Sequence, residues 1–274
     1  MLGGIIGDIV GSIYEFNNIR RKDFEFYGKQ CEFTDDSILS FATAKYLMDR
    51  SQAPAHYYVD FAKRYPSPMG SYGNSFVRWV AQSTKDHIQP PYNSCGNGSA
   101  MRVGPVGWAY ETEQETMERA KESAECTHNH PEGIKGAQAT AMAIFWARHG
   151  KSAKEIGEAI SQQFGYDLSM SVEELQRRYS WNGIDGTGNG GICQESVPQA
   201  IICALKATSF GDAVRNAISI GGDSDTIGCI TGSIAEALYG IPEDVYAKGL
   251  SYLNDELRTL LEAFEAKYGS GRMS

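Results

Sequence analysis

Residues 218–240 read ISIGGDSDTIGCITGSIAEALYG. Two glycines, Gly221 and Gly222, lead into an oxygen-rich cluster, Asp223-Ser224-Asp225-Thr226. An apolar run follows, and its spacing over 225–239 is helical. The same periodicity recurs along most of the chain. It predicts helices near 3–16, 36–49, 54–64, 74–83, 99–110, 114–125, 132–149, 153–164, 171–178, 192–207, 210–219 and 252–267. In 36–49, Ile38, Leu39, Ala42, Tyr46 and Met48 fall mostly on one face. In 252–267, Leu253, Leu257, Leu260, Leu261 and Phe264 do the same. No stretch alternates for long like a half-buried strand, although 102–108 carries a short strand-like pattern. Helices of about twelve residues joined by short loops predict an all-α globule.

The chain has 274 residues, and at about 150 per domain that leaves one domain or two. No low-complexity linker or charge block divides it, so one domain over 1–274 is expected. The stretches 89–98 and 182–191 are glycine-bearing loops of the kind that hold ligands. With 42% hydrophobic, 22% charged and 11% aromatic residues, the composition excludes a disordered chain. The 30 glycines carry no collagen period. Lys and Arg number 25 against 34 Asp and Glu, a formal charge of −9. That surplus excludes general binding to a nucleic-acid backbone, which rests on basic side chains. It leaves room for a small anion held by backbone N–H groups and metal ions. The six cysteines form no C-x-x-C pair, and they are read as free thiols of a reducing cytoplasm. The start, MLGGIIGDIVGSIYEF, lacks a basic segment and is interrupted by Asp8, unlike a signal peptide. No run is long and apolar enough to span a membrane.

A second acid cluster, Thr34-Asp35-Asp36-Ser37, precedes the 36–49 helix. Alone, the 34–37 cluster reads first as a capped helix start, and the 221–226 cluster reads as well that way as any other. Together, about 190 residues apart, they supply four carboxylates and two threonines. Four carboxylates converging in a small volume require protons or cations. An all-oxygen set suits hard cations such as Mg²⁺, Mn²⁺ or Ca²⁺, most naturally as a pair. The D-D-x-x-D pattern of prenyl-transferring enzymes is absent, because position 39 is Leu. In the first helix, Gly3, Gly7 and Gly11 form a flat stripe that admits another backbone. Asp8 and Glu15, seven apart, share nearly one helix face. They are either a packing Asp with a surface Glu, or Glu15 stands at the mouth of the acid site.

Three further stretches have two readings each. Ser94-Cys95-Gly96-Asn97-Gly98-Ser99-Ala100-Met101-Arg102 is an ordinary loop-to-helix junction or an anion loop offering backbone N–H groups. Thr127-His128-Asn129-His130-Pro131 is a capping segment or a histidine beside a ligand, and no third zinc ligand is evident. Gly186-Thr187-Gly188-Asn189-Gly190-Gly191, with Glu195 beyond it, is a flexible connection or a loop that closes on a ligand.

Six of these stretches in order resemble the ADP-ribosylglycohydrolase family, from about residue 3 to 242. They are GDIVGSIYE (7–15), FTDDS (33–37), GNGSAMRVGP (96–105), THNHP (127–131), GNGGICQESVPQAI (188–201) and ISIGGDSDTIGCITGSIAEALYG (218–240). The resemblance implies an orthogonal all-α fold and hydrolysis of the bond between C1″ of ADP-ribose and an acceptor. It implies two Mg²⁺, or Mn²⁺ in some members, held by Thr34, Asp35, Asp36, Asp223, Asp225 and Thr226. It places Glu15 near the scissile bond, with Asp35 as a second candidate catalytic carboxylate. It assigns Asn93, Ser94, Cys95, Gly96, Asn97, Gly98, Ser99 and His128 to the ADP-ribose cleft, and Gly188, Gly190 and Glu195 to a closing loop. The implied partner is an ADP-ribosylated protein, modified on serine or arginine, or another ADP-ribose conjugate. One departure stands out. Asn74 occupies the place where the dinitrogenase-reductase branch of the family carries an Asp, which shifts weight toward Glu15 and the serine-directed pattern. A non-catalytic binding member and a hydrolase of another nucleotide-ribose conjugate are the competing classes.

Overall fold

The computed structural model describes residues 1–269, so residues 270–274 of the expected 1–274 domain lie outside the described residues. Its centre is a pair of helices, α1 (Leu2–Gly11) and α13 (Ser224–Tyr239). Every residue of α1 is buried, as is α13 from Ser224 to Ala237. The pair runs antiparallel. A Cβ on Gly3 would strike Gly232, one on Gly7 would strike Gly228, and one on Gly11 would strike Ser224 and Asp225. The glycine stripe therefore does what its spacing suggests: it lets two backbones touch where any side chain would hold them apart.

Other helices wrap this pair. α8 (Pro131–Arg148), α11 (Cys193–Leu205) and α12 (Phe210–Ser219) pack on α13. α7 (Glu113–Glu125) and α9 (Ala153–Phe164) lie against α8. α2 (Asp35–Asp49) packs on α1, with α3 (Pro54–Arg64) and α15 (Asp255–Tyr268) on its outer side. α4 (Asn74–Gln82) follows α3, α10 (Val172–Arg178) touches α11, and α14 (Glu243–Leu250) touches α1. The buried apolar side chains form one contiguous core. Among the described residues the sheet content is a single hairpin, β1 (Tyr179–Ser180) with β2 (Gly183–Ile184). The fold is all-α.

Three expectations need correction. The helix expected over 3–16 ends at Gly11. Ser12 turns its hydroxyl back to Ile9 O at 2.8 Å, and the chain bends away through Tyr14 N–H to Gly11 O. Asp8 and Glu15 therefore do not share a helix face. The helix expected over 99–110 is two short ones, α5 (Gly98–Met101) and α6 (Gly104–Ala109). Pro105 sits in the first turn of α6, where its missing N–H costs nothing, and it cannot continue α5. The strand-like pattern at 102–108 accordingly lies in helix and turn.

A candidate metal centre in a cleft

α1 brings the two halves of the site together. Asp8, fully buried in α1, accepts from Thr34 N–H at 2.9 Å, Thr34 Oγ1 at 2.7 Å, Ser37 N–H at 3.1 Å and the Ser37 hydroxyl. It thus holds the N-terminus of α2, where a carboxylate also complements the helix dipole. Thr34 caps the same helix by accepting from Asp36 N–H at 3.2 Å. One turn further on, α1 sets Gly11 against the start of α13. Gly221 and Gly222, at φ +67° and +77°, make the turn that delivers Asp223 there. The loop after α1 then carries Glu15 to the same place.

Carboxylate oxygens of Glu15, Asp223 and Asp225 lie within 4.8 Å of one another. Thr226 Oγ1 donates to Asp36 Oδ2 at 3.4 Å, which joins the second cluster to the first. Asp35 lines the same cleft. The tightest carboxylate group is therefore Glu15 with the 223–225 pair rather than the two Asp pairs, and Glu15 stands within ligand range as well as near the mouth.

Among the described residues none of these acids is in an ion pair with a basic side chain. Burial, then the charges of Asp225 and Asp8, push Glu15 up to about 8. Burial pushes Asp8 and Asp223 up to about 6, against the hydrogen bonds each accepts. Burial and their mutual repulsion hold Asp35, Asp36 and Asp225 well above the usual carboxylate range. Three buried oxygens, Glu15 Oε2, Asp36 Oδ1 and Asp225 Oδ1, have no hydrogen-bond partner. An all-oxygen donor set with unpaired buried oxygens fits hard divalent cations.

The cluster lines a cleft of about 810 Å³. Its walls are the 70–76 segment, Ser94, Gly96, Asn97, Gly98, His128, Trp181, Asn189 and Gly191. Asn97 ties the wall to the acids, its Nδ2 donating to Asp223 Oδ2 at 2.8 Å. Of the expected cleft residues, Asn93, Cys95, Ser99, Gly188 and Gly190 do not line it. Several N–H groups expected to face an anion are spent within the fold. Asn93 N–H goes to Asn129 Oδ1, Ser94 to Thr127 O, Gly96 to Ser94 Oγ, and Asn97 to Gly191 O. Gly188 and Gly190 donate to Asn182 O and Trp181 O inside the hairpin loop, and Glu195 Oε2 accepts from Ile184 N–H at 3.4 Å to pin that loop. Asn189 and Gly191, their neighbours, reach the cleft instead.

Two parts of the site escaped the sequence reading. One is the 69–73 segment. Thr34 bridges to Met69, and a Cβ on Gly70 (φ +77°) would sit 2.7 Å from Glu15 Oε2. The left-handed φ favours glycine there, and any added side chain would push the Glu15 carboxylate aside. The other is Trp181, whose indole N–H donates to Glu15 O at 2.8 Å and whose ring stacks on exposed Phe16 at 6.2 Å. Asn74, exposed at the start of α4, lines the rim.

The sequence matches the family described as ADP-ribosylglycohydrolase over residues 1–272. The chain belongs to this family. It is 28% identical to the ADP-ribosylhydrolase ARH3 of Homo sapiens, over 89% of this chain and 85% of that protein. It is 25% identical to the putative ADP-ribosyl glycohydrolase L543 of Acanthamoeba polyphaga mimivirus, over 87% and 85%. A solved structure described as an ADP-ribosylglycohydrolase-related protein complex superposes with a TM-score of 0.67 at 21% identity, covering 97% of each chain. That likeness confirms the fold. Membership gives the reaction class, hydrolysis at ADP-ribose. No described helix is long and apolar enough to cross a membrane.

Proposed function

We propose that this protein hydrolyses the C1″ glycosidic bond of ADP-ribose attached to a protein side chain, with two Mg²⁺ or Mn²⁺ ions in the acid cluster. The carrying observation is the convergence of Glu15, Asp36, Asp223 and Asp225, with unpaired buried oxygens, in the lining of one cleft. The ligands would be Thr34, Asp35, Asp36, Asp223, Asp225 and Thr226. Bound there, the ions would supply positive charge that holds the 2″- and 3″-hydroxyls and offsets these carboxylates.

The protein's own residues then account for the rest. Hydrolysis breaks C1″–O(acceptor), forms C1″–O(water), and moves one proton from the water to the acceptor oxygen. Glu15 would carry that proton, a role supported by its Oε2, which is buried, unpaired and near Asp225. Asp8 and Asn97 hold the cluster in register through Thr34 and Asp223. The cleft wall around Gly96, Gly98 and His128 takes the diphosphate. Serine is the favoured acceptor, because Asn74 offers no carboxylate at the rim and leaves Glu15 as the proton carrier.

The test is release of ADP-ribose from serine- and arginine-modified peptides, with Mg²⁺ and with chelator. Release from the serine peptide that stops with chelator is expected. No release from either at saturating Mg²⁺ would overturn the reading.

A further inference from the structure

Arg102 is an outlier. Its side chain is fully buried, yet Nε and Nη1 have no hydrogen-bond partner. Its guanidinium carbon sits 4.0 Å from the Tyr58 ring centre, and the residue reaches the cleft wall beside His128. A buried cation costs several kcal/mol unless something compensates for it, so its place calls for a reason.

Its remaining nitrogen gives one. Nη2 donates to Thr127 Oγ1 at 2.8 Å and to Ser123 O at 2.9 Å. Thr127 Oγ1 in turn lies 2.8 Å from His128 Nδ1, and Thr127 is fully buried. A hydroxyl has one hydrogen and two lone pairs. Arg102 can only donate, so it fills one lone pair, and among the hydrogen bonds of this hydroxyl His128 Nδ1 is the one acceptor for its hydrogen. The imidazole proton then sits on Nε2. That atom faces the glycine loop: a Cβ on Gly98 would lie 3.1 Å from it, and one on Gly96 3.6 Å.

We propose that Arg102 and Thr127 are positioning residues that hold His128 as the Nε2–H tautomer, aimed into the cleft as a donor to the substrate's diphosphate. The proposal rests on the functional reading above. It also gives Arg102 a purpose, since its charge lies behind the donor where a dianion would bind. Burial, and then Arg102, hold His128 well below the usual imidazole range, so it stays neutral. The other titratable groups around it are Tyr58, Tyr92 and Cys126. All are raised, Tyr92 to about 12, so none ionises near neutrality.

The test uses Thr127→Val, which keeps the shape and removes the hydroxyl, and Thr127→Ser, which restores it. Long-range ¹H–¹⁵N correlation of the imidazoles in the full-length protein reads the tautomer. Binding of ADP-ribose and of adenosine reads the consequence. We expect a neutral Nε2–H His128 from pH 5.5 to 8 in wild type and Thr127→Ser, and loss of that single tautomer in Thr127→Val. We expect ADP-ribose to bind Thr127→Val about tenfold more weakly, a usual loss for a charge-assisted hydrogen bond, and adenosine to bind unchanged. A wild-type Nδ1–H tautomer overturns the proposal, as does an equal loss for both ligands. Failure of the wild type to bind ADP-ribose overturns the functional reading and the diphosphate role with it, whereas the tautomer measurement fails or succeeds independently.

Discussion

Thr226 donates to Asp36 at 3.4 Å, a contact between residues 190 positions apart in the chain. It joins two clusters that contain no basic side chain. Cations are therefore expected to act as a clamp on the fold. At a hundredfold excess over Kd, Mg²⁺ or Mn²⁺ should stabilise the protein by about 2.7 kcal/mol. Thermal melts with and without chelator measure this. Asp225→Ala should remove both the metal-dependent shift and turnover. A shift that survives in that variant would place the ions elsewhere.

The metal-free protein should lose stability as pH rises. Asp8 and Asp223 are raised to about 6 from 3.8, and Glu15 to about 8 from 4.5. A carboxyl whose folded pKa is raised binds more protons in the folded state, so its contribution is complete below the unfolded value. It is lost as pH climbs through the folded value. Stability with chelator should therefore fall between about pH 4 and 8. Urea titrations across that window read it directly, and added Mg²⁺ should flatten the slope.

Glu15→Gln keeps the shape and removes the titrating proton. Turnover should fall by about 100-fold or more. Stability with chelator at pH 8 should rise, because one of the crowded buried charges is gone. Wild-type turnover in this variant would move the proton carrier elsewhere, with Asp35 next in line.

Close packing between α1 and α13 has its own test. Gly7→Ala would drive a Cβ into the Gly228 carbonyl, a clash of a methyl group with backbone that no rotamer relieves. About 3 kcal/mol of stability should be lost, a fall in Tm of roughly 6–12 °C. Gly211→Ala is the control, because a methyl group there would meet no atom within 4 Å. It should be neutral or stabilising by up to about 1 kcal/mol.

Trp181 gives an optical handle. Of the four tryptophans, it is the one that lines the cleft. ADP-ribose should change the emission of the wild type, and the change should vanish in Trp181→Phe. A persistent signal would mean that the ligand sits away from the hairpin.

Local chemistry made much of this protein legible in its sequence. Apolar spacing marked α2, α7, α8, α9, α12 and α13 nearly to their ends, because each buries a face or its whole length. Caps were readable too: Thr34 for α2, where the hydroxyl accepts from Asp36 N–H. The glycine stripe announced a close backbone contact. Where no local signal existed, the reading failed. α14 buries only Gly249 and so shows no apolar stripe. The hairpin strands are two residues each, too short to alternate. Tertiary packing decided the rest. Asp8 grips α2 while Gly11 meets α13, and those contacts gather Glu15, Asp36, Asp223 and Asp225. Residue type and spacing determined that two acid clusters exist, and that hard cations suit them. Their distance from each other, the burial that shifts their protons, and the Gly70 and Trp181 walls depend on atoms far apart in the chain. Only the packed fold sets those.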